Sequence, residues 1–414
     1  MKKNKALILI LVITVIAAIT TITSIYGSTI LSSNEKIIFN NKKFEERVRG
    51  VLLKPTGDIY AKEVEKINVL GLNSCGLNDL SQLKWFKGLE NLDLRSNPIT
   101  DVSVLRNLKN LKMLDIESTN VSDISGLRYL QNLTYLSLKD TNVTDLSPLS
   151  KLKHLDTLFI GSLDKPVNDI SAINSFTALQ ELDITNCKKF SFSDMSNLTN
   201  IRKLCISESN LDNLNGIEKL SSLELLVLSY NNLSDIKKLK NLSKIEWLGL
   251  SDNKLSDISV LGSLLNLEHL DLNNNNLSDL KGIGKLTRLK ELNLASNNIS
   301  DISQLDGLSN LEFLSLSCNN ITDISPVKSF KNLSFLALDN NKISDISPLT
   351  NLTNLTKLYI ANNKVKNLTG LKSNTKLIAL HADGNPLNED SKAYVSIIKD
   401  MENNPNSIIF NGNY

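Results

Sequence analysis

Apolar residues return along this chain at one fixed interval of 22 residues. From Ile67, the pattern L-x-x-L-x-L-x-x-(N/T/C/S)-x-L/I-x-D-I/L-x-x-L-x-x-L begins again at Leu89, Leu111, Leu133, Leu155, Leu179, Ile201 and Leu223. It continues from Ile245, Leu267, Leu289, Leu311, Leu333 and Leu355, giving 14 full copies and a truncated one from Leu377. A short fixed period predicts a solenoid in which every coil stacks on the next. In the copy from Ile245, Leu248 and Leu250 alternate with Trp247, Gly249 and Ser251, the period of two that marks a short strand with one buried face. Leu255, Ile258, Leu261 and Leu264 complete the apolar set. About nine residues then remain for the return path. At ~1.5 Å per residue, two or three helical turns and the corners do not fit in that length, so 3₁₀ turns and short helical pieces are predicted on the far side.

Two polar positions share the period. Asn231, Asn253, Asn275, Asn297, Asn319, Asn341 and Asn363 sit at the bend after the strand, as does Asn97. Stacked, they are expected to form a ladder that satisfies buried turn amides. Cys75, Thr119, Thr141, Cys187 and Ser209 hold that site earlier in the chain. Their smaller donors do the same task less fully, so a looser N-terminal half is expected. Asp79, Asp101, Asp123, Asp145, Asp235, Asp257, Asp279, Asp301, Asp323 and Asp345 recur just before the return segment. A row of carboxylates resembles a metal comb, but N-capping of each helical turn explains the recurrence without a ligand. Pro148, Pro326 and Pro348 fall inside that turn, where a missing donor is tolerated. The rhythm breaks once. The copy from Leu155 runs 24 residues and the next reads C-K-K-F-S-F-S-D-M. The insertion around Leu163 to Val167, with the shifted Phe190, Phe192 and Met195, is predicted to bulge on the convex side or at the turn.

The repeats are assigned to residues 67–388, with caps on both sides because a solenoid leaves two apolar ends. In residues 35–66, Phe44, Val48 and Leu52 make a helical face that Lys54-Pro55-Thr56-Gly57 breaks, and Ile59, Val64 and Ile67 lead into the first strand. In residues 389–414, Ser391 to Glu402 reads as a helix with Val395, Ile398 and Met401 inward, followed by Pro405 and a strand over Ile408 to Phe410. At the start, Lys2, Lys3 and Lys5 precede an uncharged stretch from Ala6 to Asn34 whose core, Ala6 to Ile19, is almost purely apolar. Residues 1–34 are therefore expected to be an export signal or an N-terminal membrane anchor, cleaved or retained, with the repeats outside the cytoplasm in either case.

Composition narrows the chemistry. Apolar residues make up 41% and aromatics 5%, which suits an aliphatic core, and a net charge of +2 offers no basic face for nucleic acid. Cys75, Cys187, Cys205 and Cys318 show no metal spacing and are expected to be single buried or half-buried thiols. His154, His269 and His381, the only histidines, lie several repeats apart, and no Gly-rich phosphate loop, G-x-S-x-G or H-E-x-x-H occurs. Neither catalysis nor a cofactor or metal is expected.

The outward strand positions are free to vary. One column reads Leu225, Trp247, His269, Glu291, Phe313, Phe335, Lys357; the next adds Tyr359 and His381, and Phe159 lies diagonal to Tyr135. Large rings on a solvated strand face are enriched at binding hot spots. Tyr135, Phe159, Trp247, His269, Phe313, Phe335 and Tyr359 are thus expected to contact a protein ligand, although cross-strand pairing would also place rings there. Asp93, Asp115, Glu117, Glu181 and Asp183, relieved by Arg95, Lys139 and Lys203, are expected to form a mildly acidic, solvated face.

The runs L-x-x-L-x-L-x-x-N-x-I-x-D-I-S-x-L, such as Leu289 to Leu305 and Leu333 to Leu349, resemble the 22-residue subclass of leucine-rich repeats typified by internalins, surface and secreted proteins of Gram-positive bacteria. The resemblance spans roughly residues 40 to 414; a eukaryotic phosphatase regulatory subunit is built on similar repeats. It implies an α/β leucine-rich-repeat solenoid, with a curved parallel sheet on the concave face and 3₁₀ or short helical turns on the convex face. It also implies recognition of a protein ligand through the concave face by a monomer, in adhesion or host interaction, on the extracellular face of a bacterial cell, tethered or released. An envelope scaffold for the cell's own surface proteins stays open, as does an intracellular regulator if the first 30 residues are misread. Internalins often continue into an immunoglobulin-like domain and many end in L-P-x-T-G; these residues contain neither, so attachment by sortase is not implied.

Overall fold

A 22-residue coil has no interior of its own, so its seven apolar side chains must be buried between neighbours. A computed structural model describes residues 35–167 and 170–402, with side chains through Val395. The export or anchor segment 1–34, the side chains of Ile398 and Met401, Pro405 and the strand expected over Ile408 to Phe410 lie outside the described residues. Among the described residues no helix is long and apolar enough to cross a membrane. The chain groups into two units, Met1–Ser162 and Leu163–Tyr414.

The first helix among the described residues of the first unit is α1 (Lys42–Leu52), whose Phe44 and Val48 are buried. A four-residue helix, α2 (Ala61–Val64), follows and leads into the first strand. Five parallel strands come next, in chain order: β1 (Val69–Gly71), β2 (Asn91–Asp93), β3 (Met113–Asp115), β4 (Tyr135–Ser137) and β5 (Thr157–Gly161). Phe44 of α1 packs on Phe86 at 5.8 Å, and Asn41 Nδ2 donates to the Cys75 carbonyl, so α1 covers the first coil.

Among the described residues the second unit holds ten parallel strands: β6 (Glu181–Thr185), β7 (Lys203–Ser207), β8 (Leu225–Val227), β9 (Trp247–Gly249), β10 (His269–Asp271), β11 (Glu291–Asn293), β12 (Phe313–Ser315), β13 (Phe335–Ala337), β14 (Lys357–Tyr359) and β15 (Ala379–His381). Helix α3 (Glu389–Glu402) ends it. Ser391 Oγ accepts from the Leu368 N–H and Tyr394 Oη donates to the Leu371 carbonyl, which seats α3 on the last coils. Strands pair at a register offset of one repeat, Trp247 beside His269 and Leu248 beside Leu270. The alternating leucines are buried throughout.

The return segments are short 3₁₀ turns, as the length argument requires. All ten period-sharing aspartates act at these turns, Asp257 Oδ1 accepting from the Ser259 N–H at 2.9 Å and its equivalents doing the same. Their place needs a correction. The N-cap residue itself is apolar, Ile258 in this coil, and the aspartate stands one residue earlier. It spans two residues as an Asx turn, leaving the N-cap side chain free for the core. Asn213 and Asn367 act alike in two coils that lack the aspartate.

The asparagine ladder is present. Asn253 Nδ2 donates to the Leu250 and Ser251 carbonyls of its own coil and to the Leu228 carbonyl of the coil before, while its Oδ1 accepts from the Leu233 N–H of that coil. Asn97, Asn231, Asn275, Asn297, Asn319, Asn341, Asn363 and Asn385 likewise reach back to the preceding coil. Thr119 and Thr141 instead donate only to Ile116 and Leu138, within their own coils, among the described residues. The residue before the asparagine is left-handed in coil after coil, φ 54 to 56° at Asp252, Asn274, Ser296, Cys318 and Asn340. Such a backbone costs an L-residue about 1–2 kcal/mol, a strain the bonds of the following asparagine offset. Cys318 is consequently exposed, against the expectation of a buried or half-buried thiol, because that position points out of the coil; Cys75 and Cys187 are buried at the ladder site.

A second ladder was not foreseen. Asn110, Asn132, Asn200, Asn266, Asn310, Asn332 and Asn354, each just before a coil's first leucine or isoleucine, donate to the carbonyl 23 residues earlier. The insertion lies at the turn after β5: Leu163 is exposed, while Val167 is buried and bridges to Cys187. Phe192 and Met195 are buried in a 3₁₀ turn.

Two substitutions test the ladder. Asn275→Ala strands three carbonyls and the Leu255 N–H, and urea denaturation should show a loss of at least about 2 kcal/mol, since each buried polar group left unpaired costs about 1–3 kcal/mol. Thr119→Asn enters a coil whose preceding residue, Ser118, has the same φ as Ser96, 55° for both, and should gain about 1 kcal/mol through the new cross-coil bonds. An unchanged midpoint for both variants would remove the ladder from the account of stability.

Candidate functional site

Strand residues that do not face the core line one face of each unit. In the second unit, Trp247, His269, Glu291, Phe313, Phe335 and Lys357 occupy the first outward position of β9 to β14. Tyr359 and His381 stand at the second outward position of β14 and β15. Parallel strands lie about 4.8 Å apart, close to the thickness of stacked rings, so side chains in one column touch. Trp247 stacks on His269 with centroids 4.3 Å apart, Phe313 on Phe335 at 4.5 Å, and Tyr359 on His381 at 4.3 Å. Phe335 meets Tyr359 edge-on at 5.3 Å, joining the last two pairs. Each contact is worth about 0.5–1.5 kcal/mol beyond area burial. The rings are nonetheless open to solvent at their edges: Trp247 is 36% exposed and the others are half-buried. The cross-strand pairing is therefore present, and the paired rings remain partly accessible. In the first unit, Tyr135 and Phe159, also half-buried, meet edge-on at 5.6 Å.

Charged groups interrupt the rings. His269 Nδ1 lies 3.0 Å from Glu291 Oε2, an ion-pair distance without hydrogen-bond alignment. Asp271, the third residue of β10, accepts from the Asn273 N–H through its Oδ1. Burial pushes its carboxyl above the usual carboxylate range, against the pull of that bond. Trp247, His269, Asp271, Glu291, Asn293 and Phe313 surround a recess of about 140 Å³. His154 is exposed in the other unit and far in sequence from either of these histidines. Among the described residues, no group of three or more His, Cys, Asp or Glu is placed to hold a metal ion.

The acidic cluster of the first unit differs from the solvated face expected. Arg95 grips Asp93 with two bonds, 3.1 and 2.8 Å, and lies 3.3 Å from Asp115. Asp115 is buried at 4% exposure, because β2 and β4 flank it and Arg95 covers it. Burial pushes its carboxyl up to about 6, although the Glu117 N–H and Arg95 pull downward. Asp93 is also raised by burial, but the bonds from Arg95 hold it below the usual range.

A model of leucine-rich repeats in two copies matches residues 87–129, 243–285, 265–307, 287–330, 309–351 and 331–373. An internalin, InlF of Listeria monocytogenes, is 32% identical, with 78% of this chain and 96% of that chain covered and a TM-score of 0.72. A leucine-rich-repeat protein of Leptospira interrogans shares the fold at 24% identity, with 82% and 96% covered and a TM-score of 0.71. The plant peptide hormone receptor RGFR1, solved in complex with RGF2, shares it at 23% identity, with 80% and 60% covered and a TM-score of 0.61. No curated protein sequence matches the chain.

The Asp115 carboxyl makes stability pH-dependent. Its folded value, about 6, lies above the ordinary 3.8. Between those values the folded chain holds a proton that the unfolded chain has released, so this group's contribution falls as pH rises through that window. In urea titrations, Asp115→Asn should become steadily more stable relative to the unaltered chain from about pH 4 to about pH 6. A constant difference across that window would contradict the assignment.

Proposed function

Because the chain belongs to the internalin-like leucine-rich-repeat proteins, we propose that it is an exported, non-catalytic recognition protein whose strand face binds a protein ligand. The observation that carries this reading is the run of rings along β9 to β15, packed on one another yet open at their edges. Aromatic side chains held rigid by neighbours lose little entropy on binding and are the residue types that dominate interface energetics. Trp247, His269, Phe313, Phe335 and Tyr359 are the contact residues in the second unit, and Tyr135 and Phe159 those in the first. A monomer suffices, since the ends of the repeats carry their own helices, α1 and α3. RGFR1, which shares this fold, was solved in complex with RGF2, and a polypeptide ligand suits the long strand face here too. The basic and apolar start of the chain, Lys2 to Ile19, supports a position for the repeats outside the cytoplasm. There the ligand is a protein of a host or neighbouring cell, met in adhesion or host interaction.

Two measurements test the reading. Protease added to intact producing cells should digest the repeats, and N-terminal sequencing of the mature chain distinguishes a released form from a tethered one. Protection of the repeats would place them inside. With a ligand recovered by pull-down from host extract, Trp247→Ala combined with Phe335→Ala should weaken binding by at least about 2 kcal/mol, roughly thirty-fold, with an unaltered circular dichroism spectrum. Undiminished binding would move the interface elsewhere, and recovery of the cell's own surface proteins alone would favour an envelope scaffold.

A further inference from the structure

The aromatic column has one gap. Between His269 on β10 and Phe313 on β12, strand β11 carries Glu291 where its neighbours carry rings. Two strand spacings separate those rings, about 9.6 Å, so a planar group entering midway would lie about 4.8 Å from each, inside the ~6 Å range of cation–π attraction. Phe335 backs Phe313 and Trp247 backs His269 at stacking distance, so neither wall can lean away from the gap, and leaning into it would give up a stacking contact. Beneath it the second outward column is small: Gly249, Asp271, Asn293 and Ser315. A recess of about 140 Å³ is the size of a cavity that takes up one benzene-sized group, which matches one side-chain head.

The recess is anionic. Among the described residues His269 is the one ion-pair partner of the Glu291 carboxylate, and Asp271 is held by amides and a hydroxyl, from Asn273, Asn293 and Ser251. Among the described residues neither carboxyl has a lysine or arginine partner. Lys357 is the one lysine or arginine at the outward positions of β9 to β15, and it stands three strands from β11, while Asp339 and Asp383 lie on the bend side of β13 and β15. A half-buried carboxyl left without a cation is raised in energy, and a ligand cation would relieve it. Burial accordingly lifts the Asp271 carboxyl, as stated above.

We propose that the recess bounded by Trp247, His269, Asp271, Glu291 and Phe313 is the subsite for one arginine side chain of the protein ligand. The guanidinium lies flat between the His269 and Phe313 rings, and its N–H groups reach Asp271 and Glu291. Arginine fits better than lysine because its head is planar, stacks on rings and offers a fork of donors to two carboxylates. The subsite rests on the strand-face reading above and names one feature of the ligand that reading requires.

Panning a random peptide library against the full chain tests it. Enriched peptides should share one arginine. Citrulline at that position, or Asp271→Asn with Glu291→Gln in the protein, should weaken binding about ten-fold or more, and lysine should recover only part of it. Both amide substitutions keep the size of the side chain, and the amide oxygen introduced by Asp271→Asn would still accept from the Asn273 N–H. Two results would overturn the subsite while leaving the aromatic face standing: enriched peptides without a basic residue, or peptides that bind the doubly substituted protein undiminished yet lose affinity for Phe335→Ala. Peptides indifferent to Trp247 and Phe335 alike, or no enrichment at all, would overturn the subsite together with the wider reading.

Discussion

A coil in this protein borrows its interior from its neighbours, and the polar backbone of each bend falls inside that interior. Apolar stacking alone cannot solve this, because buried carbonyls and N–H groups left unpaired would cancel much of what leucine burial contributes. The ladder asparagine is the answer. One side chain closes its own bend with two bonds and then reaches into the coil before, donating to one backbone group and accepting from another. That geometry is compatible with the coil register and with the left-handed residue ahead of the asparagine, a residue that Ser118 and Asp140 also supply ahead of threonine. Threonine closes the bend without donating to the coil before, so at Thr119 and Thr141 stacking rests on the leucines, the strand pairing and the second ladder, with no bond from the bend side chain across coils among the described residues.

A backbone held at one strand spacing turns the outward face into a ruler. Side chains in a column stand where rings stack, and the rings of Trp247 and His269, Phe313 and Phe335, and Tyr359 and His381 do so. The same regularity makes a missing ring conspicuous. Glu291 leaves a gap of one layer whose walls are braced from behind, and the fixed spacing gives that gap a size. Partner choice in such a fold therefore lives in substitutions on a rigid grid, with no loop needing to move.

Much of this was legible in the sequence, for a physical reason. Positions that face the interior or hydrogen-bond across coils can accept few residue types, so Leu248, Leu250, Asn253 and Asp257 repeat and can be read. The left-handed site cannot be read this way. It holds serine, aspartate, asparagine, glutamate, cysteine and, at 230, tyrosine, ahead of asparagine, threonine, cysteine or serine alike, and no glycine is demanded. The second asparagine ladder had a visible signal, Asn every 22 residues before the first leucine, but the site also accepts His154, Lys244 and Arg288, which blurs it. Asp115 was misread as solvated because its burial depends on Arg95 reaching over from the adjacent strand, a contact between coils that leaves no periodic trace. The aromatic column was legible as a column. The recess within it was not, since it arises from Glu291, Asp271 and Gly249 on three different strands.

Rings on a sheet face serve stability and recognition with the same atoms, and the geometry decides how much of each remains. Stacking covers the flat faces, where dispersion is greatest, and leaves the edges and the ends of each stack to a ligand. A continuous run from β9 to β15 would have only two ends, both far apart. Breaking it at β11 creates two more, facing one another across a space one planar group deep. A carboxyl on the floor of that space is costly while it is empty and favourable once a cation enters, so the free protein carries a local penalty that binding removes. Under the proposed subsite, discrimination would be concentrated at a single point of an otherwise tolerant surface: apolar residues of many shapes could lie along the ring edges, whereas the gap would accept charge of one sign and a head of one thickness.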